Sequence, residues 1–102
     1  MLTKLKKKVY NLLEKIPKGK VTTYKILAKA VGRPKNWRQI GQILKENLFP
    51  EKFPCYKVVK SNGKIGGYFQ GINKKKKFLK KDGIIIKGNK VQNFNSYLFK
   101  NF

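Results

Sequence analysis

The chain has no histidine, one cysteine, one tryptophan and only four acidic residues in 102. Each scarcity closes off a class of chemistry. Without histidine, the commonest general base is gone. Four scattered acids and one thiol do not make a transition-metal site, so no metal is expected. A single cysteine cannot form an internal disulfide. No apolar run approaches the roughly 18 residues a membrane span needs, and Met1-Leu2-Thr3-Lys4 does not lead into a signal-peptide core. The chain therefore reads as soluble and cytoplasmic, with no place in a membrane. What it has in excess is positive charge: 26 Lys plus Arg give a formal net charge of +22. Self-repulsion of that size suits a polyanionic partner, nucleic acid first and an anionic membrane surface second. With 40% apolar residues, the length supports one core but not two. Residues 1–102 are expected to form one domain, with the tail from 87 onward unassigned.

Leu2, Leu5, Val9, Leu12, Leu13 and Ile16 recur at three- and four-residue steps, which predicts an amphipathic helix over 3–16. Ile16-Pro17-Lys18-Gly19 stops it. Thr22 or Thr23 can cap a second helix with Ile26, Leu27, Ala30 and Val31 inward, and Gly32 ends it. Pro34 is placed to open a third helix to about Glu46, with Trp37, Ile40, Ile43 and Leu44 on its inner side. Arg38, Gln42 and Lys45 project together from its outer side. Two short helices joined by a Gly-containing turn, the second with a basic and amide-bearing stripe, match a DNA-binding helix-turn-helix; an ordinary helical hairpin with a solvated charged face is the alternative. Gly41 lies inside that helix at a cost of about 1 kcal/mol relative to Ala, which close approach of another backbone would offset.

An extended connector over 47–54 then delivers the chain to Cys55. A strand over 56–60, an Asn62-Gly63 turn and a returning strand over 64–68 predict a hairpin. The fold class is thus mainly α with a small β hairpin, a winged-helix-like helix-turn-helix domain. Gly66, Gly67 and Gly71 make the following loop permissive enough to fold around a planar ligand. Asn73 can cap a last helix to Lys81 in which Phe78 and Leu79 dock and Lys74 to Lys77 stay wet, with Asp82-Gly83 ending it. Lys87-Gly88-Asn89 reads as a turn, and Phe94, Tyr97, Phe99 and Phe102 as aromatics that cover the core or meet the first helix. Cys55, between Pro54 and a β-branched run, is well placed for an aimed nucleophile; a small buried apolar residue is the plainer reading.

Pro54-Cys55-Tyr56-Lys57-Val58, taken with the preceding helix-turn-helix and the following Gly-rich loop, resembles the active-site region of the O6-alkylguanine-DNA alkyltransferases. The likeness runs over roughly residues 5 to 86. It takes in Ile16-Pro17-Lys18-Gly19-Lys20-Val21-Thr22-Thr23-Tyr24 and Gly32-Arg33-Pro34-Lys35, then Arg38, Gly41, Asn47, Gly66-Gly67-Tyr68 and Asp82-Gly83. It implies stoichiometric transfer of an alkyl group from O6-alkylguanine in double-stranded DNA to Cys55 after base flipping, by a monomer bound in the minor groove and without a cofactor. The implied DNA surface is Tyr24, Lys35, Arg38, Gly41, Gln42 and Lys45, with Arg38 filling the vacated stack and Tyr24 pressing on the adjacent phosphate. Val58, Gly66, Gly67, Tyr68 and Phe69 would wall the base pocket, and Asn47 would hinge the recognition helix to the active-site strand. The family's usual N-terminal domain is not matched. Where the family has a histidine and a glutamate to draw off the thiol proton, this sequence has Tyr56 and Asp82, and a phenol with a pKa near 10 is a poor base. The alternative reading is an alkyltransferase-like lesion sensor that does no chemistry and recruits other repair factors; such proteins typically carry Trp where Cys55 stands.

Overall fold

The computed structural model describes residues 3–102; Leu2, placed by periodicity on the first helix, lies outside the described residues. The first helix, α1, spans Lys4–Lys15, with Thr3 Oγ1 accepting from Lys6 N–H at 3.2 Å as its N-cap. Its buried stripe is Val9, Tyr10 and Leu13. The two-residue strand β1 (Thr22–Thr23) leads directly into α2 (Tyr24–Ala30), because Thr23 Oγ1 accepts from Ile26 N–H at 3.0 Å. Leu27 and Ala28 carry its buried face; Ala30, expected inside, is exposed. Gly32 at φ 79° closes α2, with Arg33 N–H reaching Ala28 O at 2.8 Å and Gly32 N–H reaching Lys29 O at 3.0 Å.

The third helix, α3, spans Trp37–Lys45 and starts three residues later than Pro34 suggests. Pro34 instead takes the second position of a β-turn that Asn36 N–H to Arg33 O closes at 2.9 Å, a position its fixed φ suits. Ile40, Ile43 and Leu44 pack inward, while Trp37, expected beside them, is 39% exposed. The connector over 47–54 is folded rather than extended: Lys52 and Phe53 N–H both reach back to Phe49 O, at 3.1 and 2.9 Å.

The hairpin lies elsewhere than expected. Cys55–Lys57 form a 3-10 turn, and only Val58–Val59 are strand, β2. That strand pairs in parallel with β1, Thr22 opposite Val58 and Thr23 opposite Val59. Residues 64–68 make no strand: Gly66 sits at φ 72°, out of reach of β geometry. The hairpin is β3 (Ile86–Lys87) with β4 (Lys90–Val91), antiparallel around Gly88 and Asn89. The 63–65 segment joins its edge, through Val91 N–H to Gly63 O at 2.9 Å and Ile65 N–H to Asn89 O at 2.8 Å. The fold class stands, mostly helical with a small sheet.

The last long helix, α4, spans Ile72–Lys81 with Gly71 rather than Asn73 at its N-cap, and Gly83 at φ 87° ends it. A single turn, α5 (Phe94–Tyr97), brings the tail alongside β1, where Val21 N–H meets Tyr97 O at 2.8 Å and Phe99 N–H meets Val21 O at 2.7 Å. Phe99 and Phe102 close the cluster built on α1, α2 and α3, and Phe94 and Tyr97 close a second cluster around Val59, Ile65 and Leu79.

Candidate active site and nucleic-acid interface

Cys55 is delivered by local backbone geometry. Pro54 at φ −74°, ψ 73° forms an inverse γ-turn, with Cys55 N–H on Phe53 O at 2.7 Å, and the 3-10 turn follows at once. Asn47 clamps this approach from the end of α3. Its Nδ2 donates to Phe53 O at 2.7 Å and its Oδ1 accepts from Phe49 N–H at 2.9 Å, with the residue 2% exposed. The helix and the Cys55 loop are thereby fixed to one another.

The thiol, 4% exposed, is at the floor of a cavity of about 540 Å³. Tyr24, Tyr68 and Phe69 supply aromatic wall, Gly41 and Gly67 supply flat backbone, and Arg38 and Lys45 supply charge. Gly41 answers to Tyr24: a Cβ there would stand 3.9 Å from that ring, so the neighbour in the fold is an aromatic face and not a backbone. Gly66 lies under the Tyr24 hydroxyl, 3.5 Å from where its Cβ would be. Val58 is fully buried and contributes its carbonyl rather than its side chain. Lys35 and Gln42 are exposed outside the cavity.

Tyr68 Oη is 4.0 Å from Cys55 Sγ. Burial first, then the neighbouring Cys55, pushes the Tyr68 phenol up, and the same two causes raise Tyr24, so both hydroxyls keep their protons. Tyr56 faces away from this cavity. With Asp82 it lines a second cavity of about 660 Å³, and its hydroxyl donates to Asp82 Oδ2 at 2.6 Å. Burial, then that hydrogen bond, raises Tyr56 strongly.

Lys75 corrects the expectation that the 74–77 run is wholly wet: it is 1% exposed. Its Nζ donates to Val58 O at 2.7 Å and Gly67 O at 3.1 Å, stitching the strand after Cys55 to the Gly-rich loop, and stands 5.9 Å from the Tyr24 ring centroid. Burial lowers its pKa to about 8, with attraction to Cys55 opposing and Lys60 adding to the fall. Lys57 is buried too, its Nζ on Ile16 O at 3.1 Å and Pro17 O at 3.4 Å, where a cation caps the end of α1. The signal for Lys75 was its spacing, one turn before Leu79 on the docking face.

The Lys75 shift has a measurable sign. Its folded pKa lies below the unfolded 10.5, so between pH 8 and 10.5 the unfolded chain binds more protons and stability rises with pH; below 8 the cost of the buried charge is fully present. Urea melts of the protein and of Lys75→Met should therefore show the wild type gaining about 1 kcal/mol on the variant from pH 7 to 9. A constant gap between the two would show that no buried charge is relieved.

The fold and the site together define a helix-turn-helix domain that holds a thiol at the bottom of a basic, aromatic-walled groove beside α3. The family model for the DNA-binding domain of 6-O-methylguanine DNA methyltransferase matches residues 4–84, and the chain belongs to that family. It is 45% identical over 94 residues to a bifunctional methyltransferase/endonuclease of Picrophilus torridus, covering 92% of this chain and 31% of that protein. It is 38% identical over 81 residues to a methylated-DNA–protein-cysteine methyltransferase of Methanosarcina acetivorans, covering 79% of this chain and 52% of that protein. The chain thus spans 31% to 52% of these relatives' length. S. pombe Atl1, solved in complex with damaged DNA containing O6-carboxymethylguanine, matches with a TM-score of 0.86 at 30% identity, over 98% of this chain and 99% of that one. Among the described residues no group of His, Cys, Asp and Glu could hold a metal ion, and no helix is long and apolar enough to cross a membrane.

Proposed function

We propose that the chain repairs DNA by taking the alkyl group of an O6-alkylguanine, flipped out of duplex DNA, onto Cys55 in one irreversible transfer. The observation that carries this reading is the thiol at the floor of a cavity whose rim holds Arg38 and Lys45. An alkyl carbon inside a stacked duplex is out of reach of a buried sulfur, so the nucleotide must leave the stack. The Sγ–carbon bond forms as the carbon–O6 bond breaks, the electron pair stays on O6, and the thiol proton ends on the restored guanine, which remains on its sugar in the DNA. A thioether has no leaving route, so one chain does one transfer.

The chain's own groups divide the work. Tyr24 and Tyr68, held protonated, offer hydroxyl donors to the departing oxygen where charge develops. Lys75, held on Val58 O and Gly67 O, ties the strand after Cys55 to the Gly-rich loop that walls the cavity. Tyr56 is no base: its proton is engaged by Asp82, and burial holds it on oxygen. Its role is to pin the 55–57 turn to the end of α4.

The likeness to S. pombe Atl1 over nearly the whole of both chains favours one other reading, a sensor that binds the lesion without chemistry. Intact mass after incubation with an O6-methylguanine duplex separates them. The expected result is a gain of one methyl on Cys55 and then no more, abolished in Cys55→Ala. Tight lesion binding with no gain in mass hands the function to the sensor, and repeated turnover would overturn both.

A further inference from the structure

We propose that Trp37 is a base-stacking residue, its indole set beside the Arg38 guanidinium at the mouth of the Cys55 cavity to cover a nucleobase that lesion extrusion leaves without its neighbour. This rests on the DNA-repair reading above and names a contact that reading does not contain. Trp37 opens α3, three residues before Ile40, so helical spacing would turn it inward; yet it is 39% exposed while Ile40, Ile43 and Leu44 take the core. An aromatic left in water forgoes stabilisation that burial would provide, and an exposed apolar surface at a cavity mouth marks a contact site.

Three features of that mouth specify the occupant. The Arg38 guanidinium carbon lies 5.2 Å from the indole centroid, so ring and cation offer adjacent flat surfaces. Phe69, 42% exposed, lines the same opening. Arg38, Lys45 and Lys60 line the cavity and no acid does, which fits a planar ring carried on a phosphate chain and not an apolar peptide. Because the alkyl carbon must reach Cys55 on the floor, the base met at the rim is one that stays with the duplex.

Trp37 is the sole tryptophan, so its emission reports the contact without a label. The experiment follows that emission as the protein is titrated with an unlabelled duplex containing one O6-methylguanine, with anisotropy of a fluorescein-labelled copy of the duplex measured in a separate titration. Strong quenching at saturation is expected. Trp37→Ala should weaken duplex binding about tenfold, in the range for loss of one stacked base, and Trp37→Phe should restore most of it. Urea midpoints of both variants confirm that they are folded. Unchanged emission at saturation, or Trp37→Ala binding like the wild type, overturns the proposal while the repair reading stands. Absence of any duplex binding by anisotropy overturns both.

Discussion

Replacing Arg38 with alanine should slow repair of an O6-alkylguanine in duplex DNA about a hundredfold, while reaction with the free alkylguanine base falls far less. Arg38 is exposed on the outer side of α3, at the rim of the cavity and away from the thiol's floor. Its long planar side chain can occupy the space a rotated nucleotide leaves and hydrogen-bond the orphaned base. Extrusion costs a few kcal/mol, and losing about 2.7 kcal/mol of compensation is a factor of about a hundred in rate. Free base has no stack to leave, so that cost does not arise. Single-turnover mass spectrometry on the two substrates makes the comparison. Equal losses on both would place Arg38 in folding or in the chemistry itself.

Raising salt from 50 to 200 mM should cost duplex affinity about five-hundredfold, the largest effect expected of any solution change. The cavity rim and the α2–α3 turn present Lys35, Arg38, Lys45 and Lys60, all exposed. With a net charge of +22, a contact set of roughly five phosphates gives a log-log slope of about −4.5. Anisotropy at four salt concentrations measures it. A flat response, or affinity governed by flanking sequence, would mean that binding does not run through the phosphates.

The helices were legible because their apolar residues repeat. Val9 and Leu13, then Ile40, Ile43 and Leu44, mark inner faces that packing respects. The strands were not, since each is two residues long and β2 takes its partner from β1, far back in the sequence, rather than from the segment after Asn62-Gly63. A two-residue strand carries no period. Cys55, Tyr24, Arg38, Gly41, Gly67, Tyr68 and Phe69 line one cavity, while Val58 and Gly66 do not. Tyr56 and Asp82 meet each other as a pair but open on the other side. Lys75 and Trp37 were misplaced for opposite reasons: one is a charge in a charged run, hidden by the two carbonyls it satisfies, and the other an apolar ring that lines the cavity rather than joining the core.

The parallel pairing of Thr22–Thr23 with Val58–Val59 also governs the order in which the molecule can assemble. Its two strands belong to opposite ends of the helix-turn-helix, and closing that loop must be met in chain entropy before any contact across it forms. The α2–α3 hairpin is local and quick, and so are the turns at Pro54 and Cys55–Lys57; what waits for the far pairing is the seating of that turn, through β2, against β1. Cys55 therefore takes its local shape early and its place against the rest of the fold late.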